Sequence, residues 1–100
     1  MSRKASQNVR AGYCIYINTL CQGPVPILTD GEGKYIVFET EVEAQREIVD
    51  HAMIRLQQFL DGERDFDDAI MVEEYVVSVT LHQDGSFTDE AGNRFPSHVE

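Results

Sequence analysis

The chain has 100 residues, 42% of them apolar, and carries 18 Asp and Glu against 8 Lys and Arg for a formal charge of −10. That apolar supply suits one folded domain without disulfide or metal staples and argues against a uniformly disordered chain. The charge argues against nucleic acid and anionic membranes as direct ligands, because both need clustered Lys and Arg.

Residues 1–11 read as a flexible polar tail. Arg3, Lys4 and Arg10 form the chain's one basic cluster, and no apolar run follows them to make a secretory signal. The expectation is a cytoplasmic protein whose two cysteines, Cys14 and Cys21, stay reduced. Residues 12–96 read as a single α+β domain and 97–100 as a C-terminal tail. No stretch approaches the ~20 apolar residues of a membrane helix.

Gly12 to Leu20 reads as a strand, since Tyr13, Ile15 and Ile17 alternate with Cys14, Tyr16 and Asn18. Cys21 to Pro26 reads as a loop, because Pro24 and Pro26 cannot donate ladder hydrogen bonds. Ile27–Thr29 and Lys34–Phe38 flank Asp30-Gly-Glu-Gly33, a hairpin signal. Thr40-Glu-Val-Glu43 is a capping box that opens a helix, and Asp61-Gly62 closes it near Leu60. Advancing about 100° per residue, Val42, Ile48, Val49, Ala52, Met53, Leu56, Phe59 and Leu60 share one arc, read as a core-facing stripe. Glu43, Glu47, Asp50, Gln57 and Gln58 occupy the other side. Asp65 is placed to cap a short second helix.

Tyr75 to His82 is the clearest strand, with Tyr75, Val77, Val79 and Leu81 on one face and Val76, Ser78, Thr80 and His82 on the other. Asp84-Gly85 and Ala91-Gly92-Asn93 are turns around a short edge strand, Ser86–Asp89. The expected fold is therefore α+β: a mostly antiparallel sheet of four or five strands in the order β-ββ-α-α-ββ, with one long and one short helix packed on one face.

Lys34 to Ala44, a strand running into a capped helix, resembles the corresponding segment of small antitoxins with a partial RNase H-like fold. The resemblance covers about a tenth of the chain. The further strand of that pattern is missing between Phe38 and the helix, and no DNA-binding tail follows, so no function is carried over from it.

Catalytic and metal chemistry find little support. Cys14, Cys21, His51, His82 and His98 form no CxxC, HxxxH or HExxH pair, so no metal and no cofactor is implied. Asp61-Gly-Glu63-Arg-Asp65 has acids at alternate positions, but Phe66 and Val72 stand where a calcium loop needs Gly and Glu. Cys14 and His82 on adjacent strands lack a third orienting group. Asp30-Gly-Glu-Gly33 sets acids beside its glycines, where a phosphate would be repelled.

What remains is charge placement. Residues 1–38 carry a net +2, residues 39–77 a net −9 and residues 78–100 a net −3. The leading expectation is a non-enzymatic module that binds a protein partner through that partner's basic surface. It would act as an inhibitor of a nucleic-acid-handling protein, in the manner of nuclease-immunity and anti-CRISPR proteins. Its expected contacts are Glu43, Glu47, Asp50, Ile54, Asp65, Asp67 and Asp68, with Ile54 the apolar member of an acidic field. The second expectation is a homo-oligomeric accessory subunit, such as a homodimer, that uses an exposed sheet face at Tyr16, Ser78, Thr80 and His82.

Overall fold

Alternation along the first strand sets the architecture. In the computed structural model, which describes residues 9–98, β1 runs Arg10–Thr19. Cys14 and Tyr16 project to one face and Ile15 to the other, and all three are buried. This strand is therefore covered on both sides. One flank pairs antiparallel with β3, Tyr75–Leu81, setting Cys14 opposite Val77 and Ile15 opposite Val76. The other flank pairs with β2, Gly23–Pro26. Beyond β3 come β4, Phe87–Asp89, and β5, Arg94–Phe95, giving the sheet order β2-β1-β3-β4-β5. With one long and one short helix, this is the α+β class the sequence predicts.

Three local expectations change. Cys21–Pro26 is not all loop: its last four residues form β2, with Asn18 opposite Pro24 and Tyr16 opposite Pro26. Ile27 donates its backbone N–H to Ile15 (3.0 Å), so residues 23, 25 and 27 carry the ladder bonds. Pro24 and Pro26 fall on the alternate positions, whose nitrogens point off the open edge and need no partner. Ser86–Asp89 is not an edge, because β4 lies between β3 and the two-residue β5. The first strand starts earlier than expected, since Arg10 and Ala11 already pair with Leu81 and Thr80. Residues 1–8 of that tail, and 99–100 of the C-terminal one, lie outside the described residues.

The hairpin at 27–38 forms through bridges rather than two full strands. Thr29 pairs with Tyr35, and Asp30 turns the chain by accepting the Glu32 and Lys34 amides at 2.8 and 3.0 Å. Its second arm then ties the two ends of the sheet together. Phe38 exchanges backbone hydrogen bonds with Tyr13 (2.7 and 2.9 Å), while Tyr35 donates to the Ser97 carbonyl (3.0 Å). The sheet thus curls around a core of Cys14, Tyr16, Val79 and Phe87, lined further by Tyr35, Val37 and Phe95. Gly12 is required where the arm crosses β1: a Cβ there would overlap Cγ1 of Val37.

On the opposite face lies α1, Glu41–Leu60. Thr40 caps it, its hydroxyl accepting the Glu43 N–H at 3.2 Å, and Gly62, with φ +79°, ends it. The short α2, Phe66–Ala69, follows and packs against α1 through an edge-to-face contact of Phe66 with Phe59 (centroids 5.3 Å apart).

The rotation of α1 is the largest departure from expectation. The residues that meet the body of the protein are Ala44, fully buried, and Glu47, Ile48, His51, Ala52, Arg55 and Gln58, half-buried. Of the eight-residue apolar stripe, only Ile48 and Ala52 touch that side. Val42, Val49, Met53, Leu56, Phe59 and Leu60 face outward, with Met53 61% and Leu60 73% exposed.

Candidate functional site

A polar anchor holds the helix in this rotation. Glu74, immediately before β3, sits under α1 and accepts from the Arg55 guanidinium at 3.3 Å. Its other oxygen lies 2.8 Å from Nδ1 of His51, whose Nε2 is 3.2 Å from Glu47, one turn back. Three polar side chains of α1 and Glu74 from outside it therefore form a connected, half-buried network. Two further Arg55 nitrogens, Nε and Nη2, are buried without a protein partner, which marks the network as tight rather than complete. Small residues complete the seat: Ala44 allows close approach to the sheet.

This leaves α1 with three distinct faces. The first is the anchored one. The second is an acidic strip: Glu43, Glu47, Asp50 and Ile54 fall within a wedge of about 60°. Glu43, Asp50 and Ile54 on it are exposed. The third is the apolar stripe. Between Val42 and Leu60 it carries no acid, so the negative charge and the apolar surface are adjacent but separate.

Asp65, Asp67 and Asp68 do not join the acidic strip. Their segment packs on the other flank of the helix, where Phe66 meets Phe59 and Arg64 donates to Gln58 at 2.7 Å. Asp68 is held by Arg64 and helps line a cleft of about 250 Å³ with Arg55, Met71 and Glu74. Position in sequence suggested one acidic field, whereas the turn at Asp61-Gly62 splits it in two.

The sheet-face residues are likewise divided. Tyr16 is 0% exposed and points into the core, where its hydroxyl donates to Asp89 at 3.1 Å. It shares a face with Val77, not with Ser78 and Thr80, because Tyr16 pairs with Tyr75 in the ladder. Thr80 is exposed, and His82 Nε2 lies 2.7 Å from the Thr88 hydroxyl. The expectation of one four-residue face is corrected by this register.

Chemically reactive groups are not brought together among the described residues. Cys14 is buried against Val77, and burial pushes its thiol up to about 12. It is therefore a neutral core side chain at physiological pH. Cys21 is exposed and free. Tyr16 is also raised, first by burial and then by the Asp89 charge. A surface cleft of about 580 Å³ lies between β2 and β5 and is lined by Pro24, Pro26, Tyr35, Arg94 and Phe95 among others. Arg94 there already donates to Ser86 at 2.8 Å. No described helix is long and apolar enough to cross a membrane.

No family model matches this chain, and neither do any curated proteins or solved structures.

Proposed function

We propose that this chain is a non-enzymatic protein-binding module that docks through its helical layer onto a basic surface of a protein partner. The observation that carries this reading is the acidic strip of α1, on which Glu43, Asp50 and Ile54 are exposed together. Like-signed charge on one helix face speeds encounter with a basic patch, and an apolar residue within it adds affinity on contact. Inhibition of a nucleic-acid-handling partner follows if that basic patch is the partner's own ligand surface.

The test begins with affinity capture from the native host at low salt, followed by titration of the purified pair. Glu43→Lys with Asp50→Lys should weaken binding at least ten-fold, and the wild-type affinity should fall as salt rises. Binding that is unchanged by the double reversal and independent of salt overturns the proposal. Glu47 is a poorer target, because its loss also disturbs the His51 anchor.

A further inference from the structure

Among the described residues, nothing covers the Val42, Val49, Met53 and Leu60 part of the apolar stripe of α1. These four residues are 54–73% exposed, and at about 100° per residue they lie within about 40° of one another, a narrow seam of the kind one helix presents to another. Contiguous apolar surface on one helix face is the kind that marks interaction sites, whereas single exposed apolar residues do not.

The spacing of the stripe identifies what fits it. Val42, Val49, Met53 and Leu60 stand seven, four and seven residues apart, a pattern symmetric about position 51. An antiparallel copy of the same helix, centred there, sets Val42 against Leu60 and Val49 against Met53 at both ends. Gln45 then meets Gln57. An isologous contact needs this self-complementarity, in which residue i meets j and j meets i. The stripe's own positions carry no acid, and Glu43, Glu47 and Asp50 lie off it on the neighbouring strip, which lessens the like-charge conflict that a chain of −10 would otherwise bring to its own copy.

We infer that α1 pairs with α1 of a second copy, antiparallel, along the Val42–Leu60 stripe. The two-fold axis of such a pair runs perpendicular to both helices. It leaves the two anchored faces outermost, away from the contact, and sets the two acidic strips on one side of the pair. The homodimer thus forms through the helix, not through the sheet face that the sequence suggested. It does not depend on the partner-binding proposal above.

Sedimentation of the full chain across concentration tests this. A particle of twice the chain mass is expected at micromolar concentration, and added salt should strengthen it by screening two acidic chains. Met53→Glu and Val49→Glu, both at exposed positions, should raise the dimer dissociation constant at least 100-fold while leaving the circular dichroism of the fold unchanged. Thr80→Glu, on the sheet face, should leave it unaltered. A wild-type monomer up to near-millimolar concentration overturns the inference, and so does a dimer that survives both stripe substitutions. Because salt strengthens this contact and weakens the acidic-strip contact, failure of one is distinguishable from failure of the other.

Discussion

Tyr16 and Cys14 tie the core to pH. Both are buried in the curl of the sheet and both are held neutral, Cys14 up to about 12 from its ordinary 9.0 and Tyr16 above its ordinary 10.0. The unfolded chain ionises first, so their contribution is whole below pH 9 and is lost as pH rises toward and beyond the folded values. For Cys14 the window is pH 9 to about 12. Unfolding free energy measured in urea should therefore drop by a few kcal/mol across that range. Cys14→Ala and Tyr16→Phe should each flatten the slope, although both lower stability at neutral pH. An equally steep fall in the double variant would show that the alkaline limb has another origin. At the same scale, alternation in β1 is legible from its residues, but the expectation that Tyr16 faces solvent is not met. Nothing in a tyrosine's position reveals that Asp89, 73 residues away, will receive its hydroxyl.

The elements show where local chemistry suffices and where it does not. The start and stop of α1 were legible because Thr40, Asp61 and Gly62 act on their own neighbours. Thr40→Ala should cost about 1 kcal/mol, seen as a lower urea midpoint with an unchanged slope. A change near zero would mean that the helix start is held by other contacts. β2 was missed because two prolines in four residues argue against a strand. The argument fails only where alternate nitrogens face an open edge, a fact of register that appears once β1 is in place. The rotation of α1 was illegible for a different reason. Periodicity tells which residues share a face but not which way that face points. Usually the apolar side turns inward, and here the Glu47–His51–Glu74–Arg55 network turns the other side in. Glu74 anchors this rotation, and it lies outside the helix, where the helix's own periodicity carries no trace of it.

For the whole molecule, −10 divides into parts with different consequences. One acidic strip on α1 is the proposed docking surface for a basic partner. A second group, Asp65 to Asp68, is turned to the far flank and partly neutralised by Arg64. Between the strip and that flank runs an apolar stripe free of acids, which is where the paired copy is placed. This stripe faces away from its own sheet, and the proposed pairing covers it only on association. Thiol labelling of a Met53→Cys variant in a Cys21→Ser background tests it most directly, with the buried Cys14 as the slow internal reference. Position 53 should label rapidly in dilute solution and at least ten-fold more slowly when the protein is concentrated. Slow labelling at both concentrations would mean that the stripe packs on its own chain, and fast labelling at both that nothing covers it; either result contradicts the account.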